Sequence, residues 1–131
     1  MKSTSVYFYA QRDSNYGTVN TVVPFNLIRT NVGNAMSTTG VFTAPRTGKY
    51  FFTYSGTSSG NNMIRVDLQL NGVIIERGIA MTTHDTFTNQ ATLQLSKGDQ
   101  IRLFLNSGSI YDTSGEHFTN FVGFLLEENV F

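Results

Sequence analysis

Apolar residues recur at every second position in short runs along this chain, and Gly, Asn, Ser or Pro interrupts each run soon after it begins. Period-two alternation is the signature of a β-strand, because successive side chains point to opposite faces. The candidate strands are Val6 to Gln11, Val22 to Ile28 around Pro24, Gly40 to Ala44 and Lys49 to Ser55. They continue with Ile64 to Leu70, Val73 to Ile79, Phe87 to Leu95, Gln100 to Asn106 and Phe118 to Glu127. Asn71-Gly72 between two of these is a strong hairpin signal, and Lys97-Gly98-Asp99 makes another turn. About eight to ten strands with regular turns predict an all-β sandwich or barrel.

The runs differ in how many faces they wet. Ile64, Val66, Leu68 and Leu70 oppose Arg65, Asp67 and Gln69, while Ile101, Leu103 and Leu105 oppose Arg102 and Asn106, with Phe104 the exception. One dry face and one wet face place these strands in an outer sheet. Three other runs are apolar on both faces. Val6 and Phe8 alternate with Tyr7 and Tyr9; Tyr50, Phe52 and Tyr54 with Phe51; Phe118, Val122, Phe124 and Leu126 with Phe121 and Leu125. A sandwich partner covers only one face, so either loops cover the other or these strands share a sheet that packs against copies of the chain.

Bulk properties narrow the function. At 131 residues a single domain is expected, spanning residues 1–131. Nine basic residues balance nine acidic ones, which argues against a nucleic-acid partner. No apolar run reaches the ~20 residues of a membrane-crossing helix, so no membrane insertion is expected. Cysteine is absent, which excludes disulfides and thiolate metal sites. Met1 leads almost directly into a strand-like segment, so a secretory leader is expected to lie outside this chain.

Phe25, Asn31, Met36, Phe42, Gly48, Tyr50, Phe52 and Tyr54 stand at spacings that resemble the signature of the complement C1q globular head. The pattern departs at Met36, where the family has an aromatic residue or Leu, and the interval to Phe42 is one residue short. Leu93 to Ile101, with Gly98-Asp99, and Phe118 to Leu126, with Phe121-Val122-Gly123-Phe124-Leu125, resemble later passages of the same family. The resemblance implies a ten-strand jelly-roll β-sandwich of the C1q/TNF-like type that forms homotrimers. Its first, middle and last strands would lie in the inner sheet near the trimer axis, with Tyr7, Tyr9, Phe51, Phe121 and Leu125 as interface residues.

Chemistry for catalysis is not in view. His84 and His117 belong to no metal or nucleophile motif, and the adjacent Glu127-Glu128 pair would point to opposite faces of a strand. The chain is expected not to be an enzyme and to require no cofactor. Calcium is the ion the resemblance raises: Asp85 falls where the family often has a calcium-binding Asp. The second expected acidic position falls near Arg77, and a turn-capping aspartate is an equal reading. For macromolecular ligands the candidates are Arg65, Asp67, Arg102 and Tyr111, with Glu76, Asn61, Asn62 and Asn71 nearby or in loops. The outward charges read as a mixed surface that suits proteins or glycans.

These readings predict a secreted, extracellular, trimeric head that binds glycans, microbial surfaces or proteins multivalently. Two alternatives remain: a cytokine-like ligand with its receptor in the grooves between subunits, or a structural module that trimerises a stalk.

Overall fold

The structure, a computed structural model, describes residues 5–59, 63–81 and 84–129. Among them run eleven strands: β1 (Tyr7–Gln11), β2 (Thr21–Val22), β3 (Leu27–Val32), β4 (Val41–Thr43), β5 (Gly48–Ser59), β6 (Ile64–Leu70), β7 (Val73–Ala80), β8 (Thr86–Leu95), β9 (Gln100–Ser107), β10 (Ser109–Tyr111) and β11 (Asn120–Glu128). They form two antiparallel sheets. The first has the order β10-β5-β11-β1-β3, with β8 also paired to β5; the second has the order β2-β9-β6-β7, with β4 paired to β9. The first, middle and last long strands are therefore neighbours in one sheet, and the one-sided strands β6 and β9 lie in the other, as the alternation requires.

Pro24 divides what reads as one strand from Val22 to Ile28. The Val23 amide donates to Leu103 O on the second sheet at 2.8 Å, while Leu27 pairs with Gln11 on the first. Proline has no amide to continue a ladder, so the chain changes sheet at that point.

Between the sheets Phe8, Phe25, Phe42, Tyr50, Phe52, Tyr54, Phe87 and Phe121 are fully buried. Phe8 meets Phe121 edge-on at 4.9 Å and Phe42 meets Phe52 edge-on at 5.2 Å, the arrangement that ring quadrupoles favour. The two tyrosines keep their hydroxyls satisfied: Tyr50 donates to Arg46 O at 2.7 Å and Tyr54 to Val66 O, across the sandwich, at 3.0 Å. Asn31 pins the loop that leads to β4, donating to Met36 O at 2.7 Å and accepting from Met36 N at 3.2 Å. The residues that carry the family resemblance are thus core rings, a loop latch and, at Gly48, a point of close approach. A Cβ on Gly48 would stand 2.4 Å from Glu127 O.

Two of the expected interface residues do not face outward. Phe121 pairs with Tyr54 on β5 and Ala10 on β1, both buried, and is itself fully buried in the core. Leu125 pairs with Tyr50 and packs against the same core. The outward positions of β11 are Val122 and Phe124, paired with Tyr9 and Tyr7. Gly123 faces inward between them, opposite Phe8 and Phe52.

Candidate functional site

Both chain ends of the described structure lie at one end of the sandwich. There the Leu125 amide donates to Val6 O and the Asn129 amide to Thr47 O. The opposite end carries the loops that follow β1 and β10, together with His84 and Asp85 ahead of β8. Four surfaces on this frame hold the residues singled out from the sequence.

The first is the outer face of the β1–β5–β11 sheet. Tyr7 is exposed, and Tyr9, Phe51, Val122 and Phe124 are half-buried. Phe124 lies between Phe51, 5.4 Å away, and Tyr7, 6.4 Å away, forming an apolar patch near the chain ends. Farther along, the same face turns polar. Tyr9 donates to Asn120 Oδ1 at 3.1 Å, Gln11 Nε2 donates to the same oxygen at 2.8 Å, and Arg29 Nε donates to Gln11 Oε1 at 2.8 Å. The structure thus keeps Tyr7, Tyr9 and Phe51 on this face and supplies Val122 and Phe124, which the sequence reading missed. Gly123 held the missing signal: the glycine makes room where core rings crowd, so its two neighbours must point away.

A second apolar surface lies along the free edge of β7. Val73, Ile74, Ile75, Ile79 and Met81 are exposed there, and Val73 keeps 66% of its surface. A β-bulge between Leu68 and Gln69 shifts the β6–β7 register and helps display consecutive isoleucines at the edge.

The third surface is the outer face of the second sheet, where Arg65, Asp67 and Arg102 do come together. Asp67 faces Arg77 on one side and Phe104 on the other. It nevertheless has no solvent exposure. Neighbours on three strands wall it in, and Asn106 Nδ2 approaches Asp67 Oδ2 at 3.4 Å, while Oδ1 has no hydrogen-bond partner among the described residues. Burial pushes the Asp67 carboxyl above its ordinary range, opposed by the charges of Arg77 and Arg65 and by Asn106. Glu76 also leaves this surface, because its partner Leu68 is a core residue and Glu76 faces inward with it. Desolvation raises its carboxyl too, and Glu76 Oε1 is buried without a partner among the described residues. Of the expected mixed-charge surface the arginines stay exposed or half-buried, and the Asp67 carboxylate lies buried among them, under the charges of Arg77 and Arg65.

The fourth surface is the loop end. Tyr111 lies on the first sheet, apart from the arginines, with its ring stacked on His84 at 4.7 Å and near Phe118 at 5.8 Å. Asp85 is exposed, but its oxygens already accept backbone amides, Oδ1 from Thr86 at 3.0 Å and Oδ2 from Met81 at 3.4 Å. No three of His, Asp or Glu gather at a metal-holding distance among the described residues. Calcium prefers six to eight oxygens. Among the described residues of one subunit Asp85 has no second acidic ligand beside it, and its oxygens cap the loop. Asn61 and Asn62 lie outside the described residues. Asn71 joins two turns, donating to Asp99 Oδ1 at 3.1 Å and accepting from Gln100 N at 2.8 Å.

Comparison with known proteins follows this geometry. The family model for the C1q domain matches residues 7–126. Over 131 residues the chain is 35% identical to Caprin-2 of Danio rerio, covering 95% of this chain and 14% of that protein. It is 34% identical over 130 residues to complement C1q tumor necrosis factor-related protein 3 of Mus musculus, covering 94% of this chain and 52% of that one. The chain thus spans about half, or far less, of the length of these relatives. Among solved structures, the globular domain of zebrafish complement 1qA superposes with a TM-score of 0.73 at 18% identity, over 97% of this chain and all of that one. Murine APRIL superposes with a TM-score of 0.72 at 12% identity, over 93% of this chain and 99% of the other. At such identities these two speak for the jelly-roll fold alone.

Proposed function

The chain belongs to the C1q domain family, and from that premise we propose that it acts as a secreted, homotrimeric, ligand-binding head. The observation that carries the proposal is the outer face of β1, β5 and β11, where the exposed Tyr7 and the half-buried Phe51, Val122 and Phe124 form an apolar surface that no other described element of the subunit packs over. Exposed apolar surface of this kind favours association, because burying it removes it from water at about 25 cal/mol per Å².

A ring of identical subunits needs two unlike patches, since each subunit offers one surface to the next and another to the one before. The sheet face is one patch and the β7 edge, with Ile75, Ile79 and Met81, is the other. Domains of the C1q/TNF family form trimers, and two unlike patches on one subunit suit a closed ring. Within that ring the outer face of the second sheet stays free on every subunit. Three copies of one weak site then act together on a repeating ligand.

Sedimentation velocity and light scattering on the purified chain test the assembly. A trimer is expected, and a monomer at every concentration would overturn the proposal.

A further inference from the structure

We propose that Asn71 is a site of spontaneous deamidation. Its carboxamide nitrogen leaves as ammonia after attack by the Gly72 amide, and the resulting carboxylate opens the joint between the β6–β7 and β8–β9 turns.

Asn71-Gly72 is the one Asn-Gly pair in the chain. Both residues lie at the exposed tip of the β6–β7 hairpin, with φ of 51° and 87°. Two positive φ values make the type I′ turn that a two-residue hairpin favours, which is why this pair stands here. The same pair carries a reactivity. Glycine has no Cβ to shield its amide nitrogen, so that nitrogen can close a five-membered ring onto the preceding asparagine side chain.

The surroundings favour the attack. The nucleophile is the deprotonated Gly72 amide, and Arg102 stands beside it: a Cβ on Gly72 would lie 3.0 Å from Arg102 Nη2. A cation at that range favours the anionic form of its neighbour. Arg102 is held there through its Nε, which donates to Gln69 Oε1 at 3.1 Å. The Gly72 nitrogen gives its proton to solvent and forms a bond to Asn71 Cγ. The Cγ–Nδ2 bond breaks, the expelled nitrogen takes up a proton, and ammonia departs to leave a succinimide. Water then opens the ring. Cleavage at Cγ leaves an aspartate, and cleavage at the main-chain carbonyl carbon leaves an isoaspartate with the chain rerouted through Cγ.

Both products lack a donor that the fold uses. Asn71 Nδ2 donates to Asp99 Oδ1 at 3.1 Å, Asn71 Oδ1 accepts from Gln100 N at 2.8 Å, and Asn71 N donates to Gln100 O at 2.8 Å. A carboxylate keeps the bond from Gln100 N but meets Asp99 as a like charge at contact distance. Asp99 is itself tied into the β8–β9 turn, where its Oδ2 accepts from Ser96 N at 2.8 Å. Isoaspartate also adds a main-chain carbon, which disturbs the pairing of Leu70 with Val73 that the turn sets. The change runs one way, because the product cannot remake the bond to Asp99.

The test incubates the full chain in water enriched in heavy oxygen, at neutral and at mildly alkaline pH, and follows every asparagine by peptide mapping and mass spectrometry. Asn71 is expected to convert first, faster at the higher pH, with a solvent oxygen in the new carboxyl and isoaspartate among the products. R102Q should convert more slowly than the parent, and R102K at the parent's rate. N71D, which carries the unrearranged product, should melt roughly 4 °C below the parent. N71D/D99N removes the repulsion and should regain most of that loss. Earlier conversion at another asparagine, a rate indifferent to pH, or an N71D variant that melts with the parent would overturn the proposal. Equal rates in R102Q and the parent would overturn the part given to Arg102.

Discussion

Gly123 stands directly opposite Phe52 in the β11–β5 ladder, so close that a Cβ on the glycine would come within 2.6 Å of the Phe52 ring and 2.5 Å of Phe8. The glycine is what allows Phe8 of β1 and Phe52 of β5, on the strands flanking β11, to meet over it at 6.3 Å. Gly123→Ala forces rings of a packed core to move, and overpacking of this kind costs about 1–3 kcal/mol. Chemical denaturation should show that loss, and an unchanged midpoint would mean that the rings relax freely.

Phe124 makes the opposite prediction. It sits between Phe51 and Tyr7 on a face that no other described element packs over, so Phe124→Ser should leave the fold of the subunit nearly intact. The same change should shift the assembly toward monomer in sedimentation velocity. Phe121→Ser provides the contrast: Phe121 is fully buried, and truncating a buried Phe costs about 3–5 kcal/mol. If both variants merely dissociate, or both unfold, the assignment of faces on β11 is wrong.

Glu76 should make stability depend on pH in a defined sense. Desolvation holds its folded-state carboxyl above the unfolded value, so the folded protein binds the proton more tightly. Stability attributable to Glu76 therefore rises as pH falls through the raised range toward the unfolded value. Glu76→Gln removes a partly buried charge, and it should raise the melting temperature at neutral pH. Near about pH 4, where the parent carboxyl is itself protonated, the advantage should be gone. A gain of equal size at both pH values would show that charge is not the cause.

Asp85 should behave as a loop cap. Asp85→Ala strips the acceptors from the Thr86 and Met81 amides, a change expected to cost about 1 kcal/mol. A calcium chelator should leave the melting temperature of the parent where it was. A chelator-induced drop that the Asp85 variant lacks would instead establish a metal at this loop.

The alternation of apolar and polar residues was sufficient to read the long strands, though not β10 or the break between β2 and β3, and to read their division between a two-sided and a one-sided sheet and the inward and outward faces of β1 and β5. That legibility has a simple cause: side chains on a strand alternate strictly, and Phe8, Phe52 and Tyr54 leave no doubt which set is buried. On β11 both sets are apolar, so alternation alone does not say which faces in. The register against Tyr54 and Ala10 decides for Phe121, and the bulge between Leu125 and Glu127 ends the pattern. Asp67 is a second case. Its side is set by the local pattern, but its burial is imposed by Arg77 on β7 and by Phe104 and Asn106 on β9, residues distant in the chain. A strand specifies relative orientation along itself; which side meets water, and whether a charge on the wet side stays wet, is decided by the strands that pair with it.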